Sequence, residues 1–134
     1  MPHEPAPAES PPSRRGARQL LQTASSVALS TQPEKAAYSV TKHAALALAE
    51  WLAVQYRRLG VKVSCFCPGP MLTRMLLSND FAPGSPALVQ ALTPQQVADV
   101  VVEGIAAERF LITTRPGYER VLMPSGPSGQ YMKR

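Results

Sequence analysis

Residues 23–76 read TASSVALSTQPEKAAYSVTKHAALALAEWLAVQYRRLGVKVSCFCPGPMLTRML. The centre of this stretch decides the fold. From Pro33 to Leu59 the residues follow a helical pattern, with Val40, Leu48, Leu52 and many alanines giving a broad apolar surface, as expected for a helix packed between a sheet and a further partner. Arg57 and Arg58 suit the negative end of the helix dipole, and Gly60 stands where a terminating glycine belongs. Val61–Cys67 follows at once, rich in β-branched and aromatic residues, and stops at Pro68-Gly69-Pro70, the pattern of a strand with a hard end.

Outward from this pair the alternation continues. Gln19–Ala24 is a short apolar run that ends in Ser25-Ser26, a buried strand followed by a turn. Residues 70–90 read as loop, with a short helix near Leu72–Leu77. Thr93-Pro94-Gln95-Gln96 then spells a capping box with proline at the first helical position, and Val97, Val101 and Ile105 form one apolar stripe behind it. Phe110–Thr113 is a last short strand. Strand, helix, strand, helix, strand predicts an α/β fold: a parallel sheet joined by right-handed crossovers.

The flanks differ in texture. Residues 1–18 are rich in proline and nearly devoid of large apolar side chains, which predicts disorder. Residues 115–134 read as a tail that closes on Pro, Gly and Ser. The ordered unit is therefore 19–114. With no strand visible before it, the Gln19–Ala24 edge would lie open, and an apolar edge invites pairing with another chain.

Composition excludes some functions. Net charge is +5 over 134 residues. The basic residues are scattered, without the dense stretch or interleaved aromatics of a nucleic-acid surface. Residues 44–54 are the most apolar stretch, too short and interrupted by Glu50 for a membrane span. Cys65 and Cys67, two apart on one strand, read as reduced thiols in an intracellular compartment rather than a disulfide. They and His3 and His43 lack metal-ligand spacing, so no metal is expected. His43 reads as a helix-surface or packing histidine. Hydrolase elbows and P-loops are absent from the sequence.

Ligands of α/β sheets bind beyond the carboxyl ends of the strands. Ser25-Ser26 and Pro68-Gly69 stand at two such ends. Tyr38 and Lys42, four apart on a helix, share one face. An ammonium beside a phenol favours the phenolate, so such a pair is a credible general acid and base for an alcohol/carbonyl couple. A nearby serine hydroxyl can orient the carbonyl oxygen. Taken singly, each feature is common; their order on the expected elements is not.

On these residues the chain resembles the C-terminal half of the short-chain dehydrogenase/reductase family. In that family a serine stands thirteen residues before the tyrosine of Tyr-x-x-x-Lys, which selects Ser25 over Ser26. A Pro-Gly-x-x-x-Thr motif follows the next strand, matched by Pro68, Gly69 and Thr73, with Met71 against the nicotinamide. The resemblance covers roughly residues 16–114. It implies part of a Rossmann-like, doubly wound parallel sheet, a cofactor of NAD or NADP, and a small alcohol or ketone substrate.

Tyr38 would exchange the hydroxyl proton, Lys42 would hold the nicotinamide ribose, Ser25 would orient the substrate oxygen, and the Pro68–Thr73 loop would bind the carboxamide. The apolar side chains at 72–81 fall where the family keeps its substrate lid. The helix of Tyr38 and Lys42 often joins subunits in this family, so the resemblance also implies a homo-oligomer; the reduced thiols point to the cytoplasm. The family's first half, with its glycine-rich phosphate loop, has no counterpart in this sequence. The expectation is a truncated oxidoreductase, or else a catalytically inactive half-domain that docks onto a full-length relative.

Overall fold

The computed structural model describes residues 18–115. The expected disorder at the start and the Pro/Gly/Ser tail fall mostly outside that range, although Arg18 already belongs to a strand. Three strands, β1 (Arg18–Thr23), β2 (Val61–Cys67) and β3 (Leu111–Thr113), lie parallel in the order β1-β2-β3. β1 meets β2 from Arg18↔Val61 to Thr23↔Phe66, and β2 meets β3 from Cys65↔Leu111 to Cys67↔Thr113. The helices are α1 (Ala36–Tyr56), α2 (Arg74–Leu77), α3 (Pro86–Val89) and α4 (Pro94–Ala106).

β2 is buried on both faces, and its alternate residues sort the core in two. Val63, Cys65 and Cys67 pack with Leu46 and Ala49 of α1, and with Ala24, Ala28 and Leu111. Phe66 packs on the opposite face with Val97 and Ile112, flanked by Val101 and Ile105 of α4. The expected stripe on α4 is therefore its core face.

This division corrects one expectation. The crossovers β1-α1-β2 and β2-α4-β3 step across the sheet in the same direction, yet their helices cover opposite faces. Two such crossovers are of opposite hand, so they cannot both be right-handed. The rule rests on a twisted strand feeding directly into its helix. Here residues 68–93 intervene before α4, enough chain to carry it to the other face.

Local signals explain the element ends. Gly60 takes φ +72°, a left-handed conformation that favours glycine, and closes a 3₁₀ turn (Arg57–Leu59) after α1. α1 begins at Ala36 rather than Pro33, because Gln32–Lys35 form a turn in which the Lys35 N–H donates to the Gln32 carbonyl at 3.1 Å. The capping box forms as read: Gln96 N–H donates to Thr93 Oγ1 at 3.2 Å, and Thr93 N–H to Gln96 Oε1 at 2.9 Å. The loop after β2 carries a second short helix, α3, led by Ser85 and Pro86, that the sequence reading leaves as loop. A bridge between Met71 and Leu92 closes the base of this excursion. Among the described residues no helix is long and apolar enough to cross a membrane.

Candidate active site

At the carboxyl end of the sheet lies one open cavity of about 860 Å³. It brings together every residue singled out from the sequence: Ser25, Tyr38, Lys42, Pro68, Gly69, Met71 and Thr73 all line it. They come from three separate segments, so their meeting is a consequence of the sheet order.

Ser25 sits just past β1 as the cap of a 3₁₀ turn (Ser26–Ala28), and it is buried. Its Oγ accepts the Val27 N–H at 3.2 Å. The Ser26 N–H donates to the Pro68 carbonyl at 2.8 Å, tying the loop after β1 to the loop after β2. Tyr38 lies in the first turn of α1, with the Lys42 ammonium 5.4 Å from the centre of its ring. This turn is anchored by Ser39, one of the few buried polar side chains: its Oγ accepts the Gln32 N–H at 3.2 Å and donates to the Gln32 carbonyl. The hydroxyl beside Tyr38 thus fixes the chain that leads into the helix. His43 stays out of the cavity lining and is exposed, its Nδ1 2.7 Å from the Ser39 carbonyl, the helix-surface alternative of the two expected.

The second wall is the Pro68–Thr73 loop. Gly69 N–H donates to Thr114 Oγ1 at 2.8 Å. A Cβ at Gly69 would lie 3.2 Å from both Thr114 Oγ1 and Arg115 Nε, so the tight approach favours glycine. Thr73 caps α2, its Oγ1 accepting the Leu76 N–H at 3.4 Å. Met75, Leu76 and Phe81 supply an apolar side to the cavity.

Beneath Ser25, Cys65 and Cys67 are free and buried, their sulfurs 3.9 Å apart. The hydrogen bond from Cys65 and then the Ser25 N–H pull the Cys67 thiol below its ordinary range. The same sulfur contact, together with burial, pushes Cys65 up. Several cavity residues escaped the sequence reading, Lys35 and Arg115 among them. Both were findable: Lys35 precedes Tyr38 by one helical turn, and Arg115 follows the carboxyl end of β3, where α/β ligands bind.

The site can be compared with known proteins. The family profile of the short chain dehydrogenases matches residues 12–81. The chain belongs to the short-chain dehydrogenase family. It is 36% identical over 93 residues to a 1-deoxy-11-beta-hydroxypentalenate dehydrogenase of Streptomyces exfoliatus, covering 69% of this chain and 34% of that protein. It is 28% identical over 102 residues to a D-beta-hydroxybutyrate dehydrogenase of Rhizobium meliloti, covering 75% and 38%. A short chain dehydrogenase/reductase of Burkholderia phymatum, solved in complex with NAD, superposes with a TM-score of 0.60 at 26% identity, covering 81% of this chain and 47% of that one. The chain thus spans about a third of the length of the curated relatives it matches. The α/β class and the partial Rossmann-like sheet agree with this likeness.

Proposed function

We propose that this chain carries the catalytic half of a nicotinamide-dependent oxidoreductase acting on a small alcohol/carbonyl pair. One observation supports it above the others: Ser25, Tyr38, Lys42 and the Pro68–Thr73 loop share one cavity at the carboxyl end of the sheet.

The cavity suits the nicotinamide end of NAD or NADP. Lys42 and Tyr38 offer polar heads for ribose hydroxyls on one wall, and Pro68 and Met71 offer an apolar bed for the ring on the other. When bound, the dinucleotide takes or gives the hydride. Tyr38 would exchange the proton of the substrate hydroxyl. Ser25 Oγ already accepts one N–H, so its own proton is directed outward to the substrate oxygen. Thr73 has the same arrangement, leaving its O–H for the carboxamide. Met75, Leu76 and Phe81 would cover an apolar substrate and exclude water.

The outer face of α1 suits self-association. Val40, Leu48, Trp51 and Val54 are exposed, an apolar stripe at helical spacing on the helix of Tyr38 and Lys42. A homo-oligomer formed there would hold that helix in place. The free thiols of Cys65 and Cys67 suit the reducing cytoplasm.

A non-catalytic reading, in which the chain docks onto a full-length relative, is favoured by the exposure of β1, whose Leu20 and Leu21 remain uncovered. Calorimetric titration with NADH and NADPH separates the two. Saturable binding, weakened by Lys42→Ala, with alcohol oxidation cut about 10²- to 10⁴-fold by Tyr38→Phe, is the expected outcome. A folded chain that binds neither dinucleotide but co-elutes with a full-length relative would replace it with the docking reading.

A further inference from the structure

The ladder between β2 and β3 changes character where β2 ends. Cys67 pairs with Thr113, and the residue after it, Pro68, has no N–H to donate. The next donor along the chain is the Gly69 N–H. Within the ladder, the Cys65 N–H donates to the Phe110 carbonyl at 2.6 Å. The same pattern continued along both strands, from 65 to 69 and from 110 to 114, would carry the Gly69 N–H to the Thr114 main-chain carbonyl. It goes instead to the Thr114 side chain, reaching Oγ1 at 2.8 Å. A side chain thus takes the place of the backbone where the loop leaves the sheet.

Other tethers of this loop run through main-chain atoms. The Pro68 carbonyl accepts the Ser26 N–H at 2.8 Å, and the Pro70 carbonyl accepts the Leu92 N–H at 3.1 Å. The Leu72 N–H donates to the Leu92 carbonyl at 2.8 Å. The bond to Thr114 differs from these, because it depends on which residue stands at 114. The approach there is close: a Cβ on Gly69 would lie 3.2 Å from Thr114 Oγ1.

We infer that Thr114 is a positioning residue for the dinucleotide, fixing through Gly69 the loop that meets the nicotinamide. This rests on the oxidoreductase reading and adds to it a residue outside the cavity lining. Valine at 114 would keep the branched shape but offer no acceptor. The Gly69 N–H would then stay unpaired, which is costly, or turn to the main-chain carbonyl of residue 114. Either result shifts Pro68 and Met71 relative to Tyr38 and Lys42, which stand on α1 and have no part in the tether. Serine at 114 would keep the acceptor and the loop's place.

The test is calorimetric titration of the full chain with NADH and NADPH, well below the melting temperature, beside Thr114→Val and Thr114→Ser. The valine variant should bind about tenfold more weakly, the worth of one hydrogen bond. The serine variant should stay within about twofold of the unsubstituted chain. Amide hydrogen exchange should show the Gly69 N–H faster in the valine variant and unchanged in the serine variant, with no ligand present. Equal affinity in the valine variant and the unsubstituted chain overturns the inference, even where the valine variant melts lower. So does a serine variant as weak as the valine one, because shape and not the hydroxyl would then matter. So does Gly69 exchange that ignores the valine substitution. Failure of the oxidoreductase reading looks different: Gly69 exchange responds as expected, but the unsubstituted chain binds neither dinucleotide, and the role assigned to Thr114 falls with that reading.

Discussion

β1 and β2 are hydrogen-bonded partners over six residues in unbroken register, and yet they inhabit different environments. Five successive residues of β2 are buried, while β1 leaves all but one of its residues exposed. Leu20 lies beside Val63, but 40% of Leu20 and only 8% of Val63 is accessible. The difference is one of position. β2 has a strand on each side, α1 above and α4 below. Among the described residues β1 has one strand neighbour, and α1 and α4 converge on β2 instead. The backbone ladder thus fixes β1 in place without giving its side chains a core, and the hydrophobic contribution to stability gathers at β2, β3 and the helices over them.

The sharpest way to break this contrast is to truncate one side chain in each region. Phe66→Ala empties a site packed by Val97 and Ile112 and should cost about 3–5 kcal/mol. Leu20→Ala should cost about 1 kcal/mol or less. Denaturant melts of the two variants read the difference directly. Should Leu20→Ala cost as much as Phe66→Ala, β1 is covered by a partner chain in solution, and the contrast belongs to the isolated protomer alone.

An intermediate effect is expected where α4 crosses β3. A Cβ at Gly104 would lie 2.6 Å from Ile112 Cγ1 and 2.7 Å from its Cδ1, and Ile112 is almost fully buried. Gly104→Ala gains helix propensity but forces that contact apart, for a net loss of about 1–2 kcal/mol. Ile112→Val, which removes Cδ1, should recover part of it in the double variant, a non-additivity that thermal melts can measure.

This contact also marks what the sequence could reveal. Strand β2 was legible because Val61, Val63 and Phe66 give a short β-favouring run that stops at Pro68. The start of α4 was legible because Thr93, Pro94 and Gln96 satisfy its first N–H groups locally. The spacing from Ser25 to Tyr38 and Lys42 was legible because it belongs to short motifs, and the three residues meet at one cavity. What stayed hidden depends on chain separation. Gly104 reads as a poor helix residue until Ile112 is placed against it. The opposite hands of the two crossovers depend on which face α4 takes, and no local pattern in 68–93 encodes that. Arg115 stands in no motif, and only the arrangement of strand ends brings it to Gly69.

The smallest effect tests the seam where α1 leaves β2 for solvent. Ala49 is fully buried, and its neighbour Glu50 is half-buried on the same helix, close enough to add to the upward push on the Cys65 thiol. Burial raises the Glu50 carboxyl above its ordinary 4.5. The folded chain therefore holds this proton more tightly than the unfolded one. Its contribution to stability is fully present below pH 4.5 and is lost as the pH rises through the folded-state value. At neutral pH the charged form is a small liability, and Glu50→Gln removes it. The variant should melt slightly above the parent at pH 7, and the two curves should converge as the pH falls toward 4.5. A gap that instead stays constant with pH would trace the gain to packing. A gap of the opposite sign would mean that Glu50 is ionised and paired, and that the α1–β2 seam is wetter than the rest of the core around Cys65.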